Sequence, residues 1–328
     1  MDDVTLLDGA GKGPAHGFPF DPTHGFSKEA LLRVGAPDAP ADFEAFWRDR
    51  YAAAMEIEPR PELRDTGTAR NGWRIWKLSY RSTDRAEIRG WILTPERGGV
   101  RRGFVVGHGY GARTEADFHL PFEEAMLVFP CARGLGASVH ETIPDQPEWH
   151  VLHGIEDRDR YVIGGCVEDI WHAVSVLLRV RPDLEGHIGY LGGSFGGGIG
   201  ALALAWDDRI MRGHLNVPTF GNQPLRLQLA STGSAASVQK KWKRKPEVAA
   251  TLAYYDAAAA ARFIRQPMHC SCALFDPAVA PAGQFAVYNA IASEKRLFVL
   301  PAGHHEYAGQ VERERELLRE IHDFFRDL

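Results

Sequence analysis

Ser194 stands between glycines in the run Tyr190-Leu191-Gly192-Gly193-Ser194-Phe195-Gly196-Gly197-Gly198. An apolar segment, Ile188 to Leu191, leads into it, and a small-residue run, Ile199 to Trp206, leads out. A strand that turns sharply into a helix at Gly-x-Ser-x-Gly is a nucleophile elbow. The serine there takes a strained backbone conformation, and nearly bare neighbours let the chain turn and a substrate approach. A serine hydroxyl is a weak nucleophile at neutral pH. It needs a histidine to take its proton, and the histidine needs a carboxylate to fix its tautomer. Asp276 is the only acidic residue between Asp256 and Glu294 and directly follows the apolar run Ala273-Leu274-Phe275. The base lies in Pro301-Ala302-Gly303-His304-His305-Glu306, where either histidine could serve. The other is then a loop residue or a substrate contact. Acyl transfer also needs two N–H donors for an oxyanion: Phe195, just after the serine, and Tyr110 in Gly107-His108-Gly109-Tyr110-Gly111. His108 reads as a structural residue of that turn. His304, His305 and Glu306 could suggest a metal, but a serine mechanism uses none, so neither metal nor cofactor is expected.

The elements that must position these residues can be read from periodicity. Residues 1–40 are rich in Gly, Pro, Asp and His and read as an irregular arm, with a single domain over 41–328. Asp42 to about Ile57 is helical, with Phe43, Phe46 and Trp47 on one face. Arg74 to Tyr80 and Glu87 to Leu93 alternate with period two across a Ser82-Thr83-Asp84 turn, an antiparallel hairpin at one sheet edge. Strands and helices then alternate: strands at 104–106, 126–129, 188–191, 210–217, 268–275 and 296–300, helices at 166–180, 199–206, 252–264, 281–293 and 311–328. That pattern means an α/β fold with a mostly parallel central sheet flanked by helices. Residues 219–251 break the alternation and read as a lid-like insertion over the strand ends. Ser194, Asp276 and His304/His305 each follow a strand end, in the nucleophile–acid–base order of α/β-hydrolases.

Composition narrows the partners. At 328 residues with a net charge of -5, the chain is an ordinary globular protein with nothing that suits a polyanionic partner. The one basic run, Lys240 to Lys245, reads as a solvated helix face in so acidic a chain. Met1 to Phe20 hold no basic segment followed by an apolar core, and no stretch approaches a membrane span. Cys131, Cys166, Cys270 and Cys272 fit no zinc spacing and read as buried reduced thiols of a cytoplasmic protein.

The chain resembles the cephalosporin C deacetylase / acetyl xylan esterase family of α/β-hydrolases (carbohydrate esterase family 7). The likeness runs from Pro40-Ala41-Asp42-Phe43-Glu44-Ala45-Phe46-Trp47 to the last helix. It includes Ile88-Arg89-Gly90-Trp91, His108-Gly109-Tyr110, Arg133-Gly134-Leu135-Gly136, the elbow itself and Asn216-Val217-Pro218. It also includes Leu274-Phe275-Asp276, Gln284-Phe285-Ala286-Val287-Tyr288-Asn289 and His305-Glu306. The family's His-Glu motif places the base on His305, and its oxyanion loop places the second donor on Tyr110. Substrate contacts are implied at Tyr110 and Pro218. The resemblance further implies deacetylation of small acetylated sugars and of the 3′-acetoxy group of cephalosporins, by intracellular homo-oligomers, often hexamers with inward-facing sites.

Four departures bear on specificity. Leu135 replaces the glutamine of the family's Arg-Gly-Gln, and Phe195 replaces the glutamine after the nucleophile. Ala280-Pro281-Ala282 stands for Cys-Pro-Pro, and the loop from Gly136 to Tyr161 is shortened. The expected function is therefore a serine carboxylesterase, an acetylesterase with Ser194, Asp276 and His305 as its triad. It would act on a small-molecule ester, with no nucleic-acid or membrane partner. Two readings compete: the same triad on another substrate class, dienelactone-hydrolase-like or peptidase-like, and a non-catalytic ligand-binding scaffold. Arg133 is expected to pair with Asp169 beneath the elbow.

Overall fold

The apolar runs Phe104-Val105-Val106 and Met126-Leu127-Val128-Phe129 lie side by side in parallel at the middle of a nine-stranded sheet. The architecture comes from a computed structural model that describes residues 13–328. The strands are β1 (Glu62–Arg70), β2 (Trp73–Arg81), β3 (Glu87–Pro95), β4 (Arg102–Gly107), β5 (Ala125–Pro130), β6 (Ile188–Gly193), β7 (Arg212–Asn216), β8 (Met268–Ala273) and β9 (Lys295–Leu300). Their spatial order is β1-β2-β3-β5-β4-β6-β7-β8-β9. β1, β2 and β3 are antiparallel, β3 joins β5 antiparallel, and every pairing from β5 to β9 is parallel.

Side-chain alternation divides the core in two. Val105, Val128, Tyr190 and Leu215 face α2 (Phe43–Met55), α4 (Val162–Val180), α5 (Phe195–Leu204), α9 (Ala257–Ala261) and α10 (Pro281–Ala290). Phe104, Val106, Leu127, Phe129 and Leu191 face Leu317, Ile321 and Phe324 of the amphipathic α11 (Gln310–Phe324). All 10 residues of α5 are buried, which is why its sequence is nearly all glycine, alanine and leucine. Among the described residues no helix is long and apolar enough to cross a membrane.

One expectation changes against the structure, and two segments gain detail. The hairpin β2–β3 is not at the edge, because β1 pairs outside β2. The residues of β1 are largely exposed and polar, so no alternation betrays it. Residues 219–251, expected as a lid-like insertion, hold α6 (Gln223–Gln228), α7 (Gly233–Arg244) and most of α8 (Val248–Tyr254), which pack against one another and, through α6, against α10. Of the arm expected over 1–40, residues 1–12 lie outside the described residues. The rest is irregular except for α1 (Lys28–Leu31), and Asn289 fixes it to α10 by donating to the carbonyls of Leu31 and Val34. The short helix α3 (Pro147–His150) packs against α7.

Candidate active site

Ser194 joins β6 to α5 with φ 54° and ψ −113°, a region that non-glycine residues rarely enter. The strain is held from both sides. Ser194 N–H donates to Asn216 O at 2.8 Å, and Ser194 O accepts from Gly198 N–H at 3.0 Å and Thr219 N–H at 3.2 Å. Tyr190 Oη donates to Gly196 O at 2.6 Å and so ties the first turn of α5 back to β6. A Cβ on Gly196 would come within 2.8 Å of the backbone of Gly107 and His108, so glycine is required where the loop after β4 crosses the elbow.

The carboxylate is fully buried. Asp276 Oδ1 accepts the N–H groups of Ala278 and Val279, each at 2.9 Å, an arrangement its turn before Pro277 creates. Oδ2 accepts from Gln284 Nε2 at 2.9 Å and from His304 Nδ1 at 2.8 Å. His304 Nε2 in turn lies 2.9 Å from Ser194 Oγ. The histidine that stands between Ser194 and Asp276 is therefore His304, not His305 as the family's His-Glu motif implied. The reason is local geometry. Gly303 N–H donates to Phe275 O, which pins the β9 loop against Asp276, and His304 adopts φ 49°, turning its ring inward. His305 leaves in the other direction: its Nε2 lies 3.2 Å from Ala15 O, and its ring packs on Phe18 and Phe275. Burial opposes protonation of His304, but the Asp276 carboxylate outweighs it as acceptor and as charge, so its pKa lies above the ordinary imidazole value.

Phe195 and Tyr110 meet behind the serine. Their rings stack at 4.3 Å, Phe195 is fully buried, and neither backbone N–H has an acceptor among the described residues. Tyr110 Oη donates to His150 Nδ1 at 3.2 Å, and His150 Nε2–H donates to Arg133 O at 2.9 Å. Arg133 grips Asp169 through Nε at 3.1 Å and Nη2 at 2.7 Å, the expected pair, and also reaches Ser82 and Thr83. His108 is structural, donating from Nδ1 to Gly109 O and accepting Ala132 N–H at Nε2; burial drives its pKa down to about 4. The two side chains expected to touch substrate pack behind the elbow. Tyr110 is occupied by Phe195 and His150, and Pro218 is buried with its Cα against Gly197, while Val217 takes the lining position.

That cleft holds about 520 Å³ and is bordered by Gly109, Ser194, Asn216, Val217, His304 and Tyr307 among others. No residue of 219–251 reaches it. Ser231 and Thr232 of that segment instead donate to the carbonyls of Ala278 and Pro277, clamping the turn that carries Asp276. Lys241 and Lys245 pair with Glu156, and the four cysteines are free and buried. Sequence reasoning did not find Gln284 as a partner of Asp276. Its signal was a polar residue among apolar neighbours in the buried first half of α10.

The sheet order, the elbow and the three strand-end loops converging on it make this an α/β-hydrolase. More narrowly, the chain belongs to the acetyl xylan esterase family, whose sequence profile matches residues 32–321. That membership puts it among the carboxylic ester hydrolases. It is 24% identical over 301 residues to the acetyl esterase Axe7A of Xylanibacter ruminicola, an alignment covering 86% of this chain and 66% of that relative's length. Its fold is that of acetyl xylan esterase 1 from Thermoanaerobacterium sp., with a TM-score of 0.79 at 20% identity over 92% of this chain and 99% of the other. The acetyl xylan esterase of Paenibacillus sp. R4 gives 0.77 at 20% identity, over 90% and 99%.

Proposed function

We propose that this chain is a serine acetylesterase in which Ser194, His304 and Asp276 form the triad. One observation carries the reading: a single imidazole within hydrogen-bond distance of both the Ser194 hydroxyl and the buried Asp276 carboxylate. His304 Nε2 takes the hydroxyl proton as Ser194 Oγ attacks the acetyl carbonyl. Asp276 holds the proton on Nδ1 and stabilises the imidazolium. The unengaged N–H groups of Phe195 and Tyr110 are suited to the oxyanion. His304 then protonates the departing alcohol, and a water, deprotonated by the same nitrogen, releases acetate from Ser194. The acetyl preference rests on family membership and on the relatives' names; acetylated sugars are the first substrates to try, and the 3′-acetoxy group of cephalosporins the next.

The test is hydrolysis of p-nitrophenyl esters of rising acyl length by the wild type, Ser194→Ala, His304→Ala and His305→Ala. Turnover should be greatest with acetate and fall about 10⁴-fold or more in the Ser194 and His304 variants. His305→Ala should keep most of the rate. An inactive His305 variant beside an active His304 variant would transfer the base to His305 and refute the assignment.

A further inference from the structure

The α11 face of the sheet lacks one of its usual covers. Parallel neighbours are ordinarily joined through a helix, yet the link from β4 to β5, residues 108–124, has none. Between this link and α11 lies a recess of about 470 Å³ over β4, β6 and β7. It shares Gly109, Gly193, Asn216 and Glu314 with the Ser194 cleft, so the two depressions meet beside the nucleophile. Its walls are polar as well as apolar: Asp117 and His119 come from the link, and His214 and Asn216 from β7.

His214 is 4% exposed, and its ring lines this recess. Its Nδ1 lies 2.9 Å from His269 Nδ1 on β8, and His269 Nε2 lies 3.3 Å from Glu320 Oε2 on α11. A carboxylate only accepts, so His269 carries its proton on Nε2. Burial holds both imidazoles below their ordinary pKa and hence neutral. The remaining nitrogen of His269 is therefore a lone pair, and it accepts from His214 Nδ1–H. By the same count His214 presents a lone pair at Nε2, and no hydrogen bond to that atom is made among the described residues.

We infer that the recess holds the alcohol part of the ester, and that His214 Nε2 accepts a hydrogen bond from a hydroxyl of that alcohol. The inference rests on Ser194 being the nucleophile proposed above. His214 pairs with Leu191 across β6 and β7, three residues before Ser194. At about 3.3 Å per strand residue it sits roughly 10 Å from the elbow. A short alkanol does not span that distance, and nitrophenol carries no second hydroxyl. A ring-bearing polyol satisfies both conditions.

The experiment compares kcat/KM for a monoacetylated methyl glycoside with kcat/KM for p-nitrophenyl acetate, in wild type, Ser194→Ala, His214→Phe and Leu120→Trp. His214→Phe removes the acceptor, and Leu120→Trp fills the recess from the link, at a half-buried position. In both variants the glycoside-to-nitrophenyl ratio should fall about tenfold, through KM. A ratio within about twofold of wild type in Leu120→Trp and in any folded His214→Phe overturns the recess, even while turnover still depends on Ser194. Turnover that survives Ser194→Ala overturns the nucleophile itself, a separate failure.

Discussion

Replacing Asp276 by asparagine should abolish the base without disturbing the cleft, and the structure fixes why. Two backbone donors, Ala278 N–H and Val279 N–H, converge on Oδ1 at 2.9 Å. The asparagine oxygen must take that place, which puts its NH₂ where Oδ2 now stands. Gln284 cannot turn to meet it, because its Oε1 accepts Ala273 N–H at 2.7 Å and its Nε2 donates to Val279 O at 2.7 Å. The new NH₂ can donate to His304 Nδ1 only if that nitrogen is unprotonated. The imidazole proton then sits on Nε2, facing Ser194 Oγ, and no lone pair remains to take the hydroxyl proton. The expected loss in kcat is about 10⁴-fold, or about 5 kcal/mol of transition-state stabilisation. The NH₂ group of Gln284 would then face the NH₂ of the introduced asparagine, a buried donor without its acceptor, at a further cost of about 1–3 kcal/mol in stability. Because Asp276 does not line the cleft, KM should stay near its wild-type value. Steady-state kinetics on p-nitrophenyl acetate and urea unfolding measure the two effects. A folded variant that keeps more than about a tenth of the wild-type kcat refutes the tautomer argument.

The pH profile should carry the mark of the same contact. Because the folded pKa of His304 is raised, kcat/KM should fall on the acid side with a midpoint above the ordinary 6.5. The sign for stability is opposite: the folded state favours protonated His304, so this contribution is full below the unfolded pKa and lost as pH rises through the folded one. Activity profiles and urea midpoints on either side of neutrality check both. Phe195→Gln, which restores the family's residue, should destabilise by about 2–3 kcal/mol, because it buries an amide among the rings of Tyr110, His150 and Phe220. A more active and equally stable variant by calorimetry would overturn that. Arg133→Met should cost about 3–5 kcal/mol by stranding buried Asp169. Asp169→Leu added to it should recover part of the loss in denaturant unfolding.

The fold was legible wherever one physical pattern dominated. Strands buried on both faces leave apolar runs, and helices on the α4 side leave a 3.6-residue stripe, so β4, β5, β6 and β8 could be read without their partners. β1 could not, since Glu62-Leu63-Arg64-Asp65-Thr66-Gly67-Thr68-Ala69-Arg70 is mostly exposed and is a strand only because β2 offers it an edge. The helices of 219–251 were missed for a related reason. Their capping and packing come from distant groups, such as Asp256 taking the N–H groups of Asn222 and Gln223.

The site divides along the same line. Ser194 and Asp276 announce themselves because the elbow needs glycines within one turn and the acid stands alone after its strand. The histidine does not, for His304 and His305 are equal in composition and differ only in backbone. What separates them is the approach of Gly303 to Asp276, where a side chain on residue 303 would strike the carboxylate. That approach, followed by the positive φ of His304, aims the first histidine at the acid and leaves the second to the arm at Ala15 and Phe18. A motif that aligns His305-Glu306 with a family pattern counts residues along the chain. The base is chosen by which ring the turn presents to Asp276, and a turn one residue earlier presents the other. The two alanine variants therefore test the turn as much as the chemistry.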